Sequence, residues 1–209
     1  MLDAAPDFGP SRGPVLFAGR RFRVVRVEQR CGDGTVRQRE VIEHPGSVVI
    51  VPRMADGRVC LVEVVRAAVG TTLLELPAGT LDRPEPLAVA AARELAEETG
   101  YRAGRLTPVG ALWMSPGVLR ERMHLFLAEE LVAGPQALEP GEEIRTRAVP
   151  WAEAVAMCLD GRIEDAKSVA ALLLLDRLGD ARVAAGAAQG LPVTPVGPDG
   201  LRPVESAGR

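Results

Sequence analysis

Three glutamates in residues 76–101 form the part of the sequence best suited to chemistry. Residues 86–99 are rich in helix formers and precede Gly100, so they predict a helix on which Glu94, Glu97 and Glu98 share one face. Like charges at this spacing repel by about 0.2–0.5 kcal/mol per pair, and clustered carboxylates suit Mg²⁺ or Mn²⁺. Taken alone, such a pattern is more often a solvated acidic helix face.

The wider spacing favours the metal-binding interpretation. Gly79 is followed by five residues and Glu85, then by seven residues and the run RELAEETGY at 93–101. This arrangement resembles the signature of the Nudix hydrolases, in which G and E precede R-E-U-x-E-E-x-G-U and U is apolar. Every fixed position agrees, and the one mild departure is Tyr101, where aliphatic residues are usual.

The resemblance implies a role for each residue of the signature. Gly79 is expected to let the backbone bend tightly before the helix. The carbonyl group of Ala78, together with Glu94 and Glu98, would hold a principal Mg²⁺ or Mn²⁺, and Glu97 would reach a second ion. Arg93 lies four residues before Glu97, so it can orient that carboxylate. The implied substrate is a nucleoside diphosphate linked to a further group, attacked by water at phosphorus.

Flanking segments resemble the ADP-ribose pyrophosphatase branch, and the likeness spans about residues 20–178. It implies substrate roles for six residues outside the helix: Arg66, Glu75, Pro116, Gly117, Arg39 and Glu40. In relatives the last two reach adenine across a domain-swapped homodimer. Simpler explanations remain open, since Arg39-Glu40 could be an exposed strand pair, Arg66 a strand end, and Pro116-Gly117 only a turn.

The branch implies cleavage of ADP-ribose to AMP and ribose 5-phosphate, for which a general base is needed. In relatives the base is a glutamate on a loop between the later strands. The corresponding loop here is residues 134–145, in which Glu142 is the first candidate and Glu139 the second. Alternatives are another nucleoside diphosphate derivative, such as a GDP-sugar, NADH or a flavin dinucleotide. A non-catalytic Nudix ligand-binding or regulatory module is disfavoured because the Arg93 and glutamate set is intact.

Composition narrows the function classes. The net charge of −3 argues against nucleic-acid partners, and no apolar run is long enough to span a membrane. The N-terminal residues have no apolar core typical of a secretory signal, so we expect a cytoplasmic protein with a small-molecule substrate. The chain has one lysine, Lys167, among 25 basic residues, which is explained most simply by coding bias.

The hydropathy pattern predicts an α+β protein: a Nudix-type α/β/α sandwich with a mixed β-sheet, plus an N-terminal antiparallel β-rich region. We expect a flexible tail at 1–13, the β-rich dimerisation region at 14–46, the catalytic domain at 47–180 and a Pro/Gly-rich tail at 181–209. Strands are predicted at 21–27, 36–43, 47–51, 59–65, 73–76, 105–112 and 122–128, and helices at 86–99, 151–159 and 167–178.

Overall fold

A computed structural model of the chain describes residues 12–189, and side chains within it as far as residue 179. The strands in these residues are β1 (Val15–Ala18), β2 (Arg23–Arg30), β3 (Val36–Glu43), β4 (Ser47–Pro52), β5 (Arg58–Arg66), β6 (Thr71–Glu75), β7 (Ala78–Thr80), β8 (Tyr101–Ser115), β9 (Leu119–Ala133) and β10 (Ile144–Pro150). The helices are α1 (Leu87–Thr99), α2 (Trp151–Leu159) and α3 (Ala166–Gln189). No helix among these residues is long and apolar enough to cross a membrane.

The strands form two sheets. The larger has the order β1-β2-β3-β9-β4-β7, with β8 also paired to β9, and the smaller has the order β10-β5-β6. Strand β9 runs parallel to β3 and β4, whereas the remaining pairs are antiparallel. The predicted mixed sheet is therefore confirmed, and β2 and β3, which correspond to the strands predicted at 21–27 and 36–43, pair antiparallel within it.

Strand β4 is central because both of its faces are buried. Its side chains alternate between two hydrophobic clusters, as the period of two in a strand requires. Val48 and Ile50 pack with Ala90, Ala91 and Leu95 of α1. On the opposite face lie Val49, Val51, Leu61, Met157 and Leu172. Helix α1 thus covers one face of the large sheet, while the small sheet, α2 and α3 cover the other, as an α/β/α sandwich requires.

The termini differ from expectation at one boundary. Helix α3 was predicted to end at Leu178, with a tail from residue 181, but helical backbone continues to Gln189. Gly179, with φ of 64° and ψ of 167°, interrupts it. The Ala-rich segment after the break has high helix propensity, which outweighed the Gly-based end signal. The rest of the predicted C-terminal tail, and residues 1–11 of the N-terminal one, lie outside the described residues.

Candidate active site

Helix α1 carries the acidic signature and is anchored by its apolar face. Ala90, Ala91 and Leu95 are fully buried against the large sheet. The helix ends at Gly100, whose φ of 75° is left-handed, and a Cβ there would lie 2.4 Å from the carbonyl oxygen of Gly134. Anchoring and termination together direct the remaining face, with its arginine and glutamates, towards a cleft.

One guanidinium group organises this face. Arg93 Nη1 donates to Glu94 Oε1 and to Glu97 Oε2, both at 2.8 Å. Its Nε and Nη2 donate to Glu85 Oε1 at 3.0 and 2.7 Å. The expected contact between Arg93 and Glu97 is therefore present. The sequence signature included Glu85 without a role, and the structure shows that it completes the ring of carboxylates around Arg93.

Glu98 lies deeper than the other two glutamates and is bound by the backbone. The Ala78 N–H donates to Glu98 Oε2 at 3.0 Å. Burial nevertheless raises the pKa of Glu98 to about 8, with the Glu94 and Glu142 charges adding to the rise. Burial likewise raises the pKa of Glu94 to about 7, although Arg93 opposes the change. Both carboxylates are therefore buried without enough nearby positive charge to offset the cost of burial.

Gly79 serves a different purpose from the one expected. It lies within β7, paired with Val48, and its φ is not in the left-handed region, so no tight bend requires glycine. Instead, a Cβ at this position would lie 1.8 Å from Cδ of Glu94. Glycine is needed because the Glu94 carboxylate occupies the space that a side chain would fill.

The acidic face opens into a cleft of about 900 Å³. Its walls combine the three glutamates with residues from the small sheet, the start of α3 and the loop before β10. Among the lining residues are Ala78, Glu94, Glu97, Glu98, Arg66, Glu139, Glu142, Arg83, Asp165 and Lys167. Acidic and basic groups thus face the same space, as recognition of a metal-bound phosphate compound requires.

Both candidates for the general base lie on the loop between β9 and β10. The Glu142 N–H donates to the Glu139 carbonyl oxygen, and the Glu139 N–H donates to Glu142 Oε2, each at 3.0 Å. Glu139 lies 3.6 Å from Arg83, whereas the charge of Glu142 acts on Glu98. Glu142 is thus electrostatically linked to the acidic face of α1, and its ranking above Glu139 stays a prediction.

Arg66 and Glu75 form one unit beside the cleft. Arg66 Nε and Nη2 donate to the two Glu75 oxygens at 2.7 and 2.6 Å. Glu75 also accepts a hydrogen bond from Lys167, which sequence reasoning did not assign to the site. The only signal in the sequence was that this residue is the single lysine in an arginine-rich chain.

Five residues predicted to bind substrate do not line the cleft of the single chain: the buried Glu75, and Arg39, Glu40, Pro116 and Gly117. Arg39 donates to Gln29 within the exposed β2–β3 hairpin, and Glu40 lies 3.4 Å from Arg26. Pro116 and Gly117 form the turn between β8 and β9. Their assigned roles remain predictions, since those of Arg39 and Glu40 require a second chain.

The donors present suit a divalent ion. Three carboxylates face one cleft, and two of them have raised pKa values that a nearby cation would lower. As placed, no three Asp, Glu, His or Cys side chains among residues 12–179 converge tightly enough to hold an ion. Arg93 accounts for this, because it draws Glu94 and Glu97 towards itself. Rotation of these two side chains would release them as ligands.

We expect the metal-free protein to lose stability as pH rises, and Glu98→Gln to remove much of that loss. A carboxyl group whose pKa is higher in the folded than in the unfolded state favours folding only while protonated. Glu98 shifts from 4.5 to about 8, so its contribution falls between these values, by about 1.4 kcal/mol per pKa unit. Urea unfolding of both proteins in EDTA between pH 5 and 9 measures this difference, and parallel curves would contradict the prediction.

We expect Gly79→Ala to fold but to bind Mn²⁺ at least tenfold more weakly. The added Cβ must displace the Glu94 carboxylate, which can swing away at little cost to stability because it ends a flexible side chain. Isothermal titration with Mn²⁺ measures the loss. Gly32→Ala is the matched control, because a Cβ there meets nothing within 4 Å. Equal affinities of the two variants would show that Glu94 does not bind the ion.

Comparisons with known proteins agree with this geometry. The family model described as NUDIX domain matches residues 43–172, more than half of the chain. The chain is 32% identical to an ADP-ribose pyrophosphatase of Bacillus subtilis over 162 residues, covering 77% of this chain and 88% of the relative. It is 35% identical to a GDP-mannose pyrophosphatase of Pectobacterium atrosepticum over 152 residues, covering 68% and 78%.

A solved structure supports the same assignment. The crystal structure of an ADP compounds hydrolase superposes with a TM-score of 0.69 and 25% sequence identity, covering 87% of this chain and 98% of that one. The likeness thus extends over most of both chains. With the complete signature on α1, the acidic cleft and these relatives, the chain belongs to the Nudix family and is a hydrolase of its ADP-ribose pyrophosphatase-like branch.

Proposed function

We propose that this hydrolase cleaves ADP-ribose to AMP and ribose 5-phosphate with the aid of Mg²⁺ or Mn²⁺. The observation that carries the proposal is that the α1 glutamates, Arg66 and the loop with Glu142 line the same cleft. A diphosphate needs both kinds of group, because a cation must neutralise its charge and a base must activate water.

Nudix hydrolases generally use divalent metal ions. In this chain the Ala78 carbonyl group, Glu94 and Glu98 would hold a principal ion and Glu97 a second one. When bound, the ions would neutralise the diphosphate and polarise phosphorus. The nearly buried position of Glu98, which is 9% exposed, supports its role, since a buried carboxylate gains most from a bound cation.

The chain's own side chains would do the remaining work. Arg93 holds Glu94 and Glu97 near the cleft before any ion arrives. Arg66 would bind a phosphate or the terminal group, because two of its three nitrogens are occupied by Glu75 and Nη1 remains. Glu142, or in second place Glu139, would accept the proton of the attacking water.

The choice of substrate rests on the relatives and has a specific competitor. ADP-ribose pyrophosphatase and GDP-mannose pyrophosphatase relatives are 32% and 35% identical to this chain, so a GDP-sugar is the second candidate. NADH and flavin dinucleotides share the same diphosphate chemistry. A non-catalytic module is disfavoured by the complete Arg93, Glu94, Glu97 and Glu98 set.

We expect the purified protein to release AMP from ADP-ribose only when Mg²⁺ or Mn²⁺ is present, and Glu98→Gln to lower kcat by at least 100-fold. Loss of one charged ligand removes several kcal/mol of charge stabilisation, and each 1.4 kcal/mol is tenfold in rate. Product chromatography on a panel of ADP-ribose, GDP-mannose, NADH and FAD measures the preference.

The control for this test is Glu153→Gln, an exposed glutamate of α2 that does not line the cleft. It should retain wild-type kcat. Turnover of GDP-mannose but not ADP-ribose would overturn the substrate assignment, whereas metal-independent turnover would overturn the metal role.

We also propose a homodimer formed through the N-terminal strands. All four residues of β1 are exposed although three are large and apolar, including Phe17 at 54%. Such a strand gains stability when another chain covers it. In that dimer Arg39 and Glu40 would reach the partner's adenine site, which explains their distance from the cleft of their own chain.

Light scattering at micromolar concentration should give twice the mass of one chain. Phe17→Asp should yield a monomer, because a charge cannot be buried in an apolar interface without a large cost. If the wild type is dimeric, Arg39→Met should raise KM without changing the mass. A monomeric wild type would remove both the dimer and the adenine role. The cytoplasmic location and the absence of nucleic-acid partners stay predictions.

A further inference from the structure

Lys167 occupies a position that its surroundings make unusual. It is the only lysine among 25 basic residues and lies in the first turn of α3, 7% exposed. Its Nζ donates to Glu75 Oε2 and lies 2.9 Å from Asp165 Oδ1. A buried lysine is rare unless paired, and here both partners are carboxylates. The compact ammonium group fits between them, whereas the planar fork of an arginine would need more space.

Glu75 connects this lysine to the cleft. It is 1% exposed and shares its two oxygens between Lys167 and Arg66. Burial acts to raise the pKa of Glu75, but the hydrogen bonds and charges of Arg66 and Lys167 outweigh burial and keep it below its ordinary value. The carboxylate therefore stays ionised, as a charged anchor for the Arg66 guanidinium must.

The geometry of Arg66 explains what the anchor achieves. Because Nε and Nη2 bind the Glu75 carboxylate side-on, one edge of the guanidinium is fixed and Nη1 lies on the other. The Arg66 side chain is 42% exposed and lines the cleft. Its free edge is thus directed by Glu75 rather than by the cleft itself.

The backbone beside Glu75 is fixed by the same turn of α3. The Leu76 N–H donates to Ser168 Oγ at 2.7 Å. Asp165 Oδ2 accepts hydrogen bonds from the Ser168 N–H at 3.0 Å and from Ser168 Oγ at 2.5 Å. The start of α3 therefore restrains both the side chain of Glu75 and the peptide that follows it.

We propose that Lys167 is a positioning residue for the substrate, acting through Glu75 to hold the Arg66 guanidinium towards the diphosphate or its terminal group. This inference rests on the proposed function, because it assigns Arg66 to the substrate. Two competing explanations make different predictions. Lys167 could serve only to neutralise buried charge, or it could touch the substrate directly, since it also lines the cleft.

A double-mutant cycle of Lys167→Met and Glu75→Gln separates the three explanations. The cycle uses whichever panel compound the wild type hydrolyses with the highest kcat/KM. The readouts for each variant are Tm, KM, kcat and the Kd for the same compound, or for ADP-ribose if none is hydrolysed, by isothermal titration in EDTA. The Kd does not depend on turnover, so a failure of the proposed hydrolysis remains distinguishable from a failure of this inference.

We expect Lys167→Met and Glu75→Gln each to raise KM and Kd about tenfold, the effect of one charge-assisted hydrogen bond, with kcat within about threefold. The double variant should be no worse than Glu75→Gln alone, because Lys167 has no further route to the substrate. Its Tm should exceed that of Lys167→Met, because position 75 then no longer carries a buried charge that has lost one of its two cationic partners.

Two results would overturn the proposal. An unchanged KM in Lys167→Met would show a purely structural ion pair. A further tenfold rise of KM in the Glu75→Gln background would show direct contact with the substrate. If Lys167→Met does not fold, Glu75→Gln still decides, because an unchanged KM and Kd in that variant would show that Arg66 needs no anchor. The double variant would still reveal direct contact of Lys167 with the substrate. Arg177→Met, an exposed position on the same helix, is the control and should match the wild type.

Discussion

The contacts of Arg93 make the acidic face of α1 possible. Carboxylates on successive turns repel by about 0.2–0.5 kcal/mol per pair, whereas a hydrogen bond between charged groups contributes about 1.5–3 kcal/mol. Three such partnerships, to Glu85, Glu94 and Glu97, therefore outweigh the repulsion. These hydrogen bonds also keep the Glu94 and Glu97 carboxylates beside the cleft. A divalent ion would take over as the counter-charge, so the helix can be assembled before the ion is bound.

Residues 76–78, which lead into β7, are tied to three layers of the fold. The Leu76 N–H binds Ser168 of α3, the Pro77 carbonyl accepts from Ile50 of β4, and the Ala78 N–H binds Glu98 of α1. Each successive residue is thus held by a different element. A displacement of any one layer would move the Ala78 carbonyl group, which we assign to the metal. This arrangement explains how a three-residue strand can act as a precise part of the site.

Local patterns in the sequence predicted much of the architecture. Alternation located β2 and β3, a short apolar β-branched run located β4, and helix formers followed by Gly100 located α1 within one residue. The extents of β8 and β9, each 15 residues long, were underestimated, because β8 contains Gly and Pro positions and both ends of β9 contain charged positions that locally disfavour a strand. Their long mutual pairing compensates for weak local preference. The predicted end of α3 at Leu178 was wrong, because an Ala-rich segment with high local helix preference resumes the helix after Gly179.

The sequence by itself determined the acidic face of α1, because helical geometry fixes which side chains lie together over three or four residues. The contact of Arg93 with Glu97 and the alignment of three glutamates follow from spacing alone. Tertiary structure decided the contacts between residues that are far apart in the sequence. Lys167 and Glu75 are separated by 92 residues and meet only because α3 packs beside the small sheet. The need for glycine at position 79 likewise arises from the Glu94 carboxylate that folding brings against it. Short-range geometry is encoded in order along the chain, whereas contacts between layers depend on the packing of the whole core.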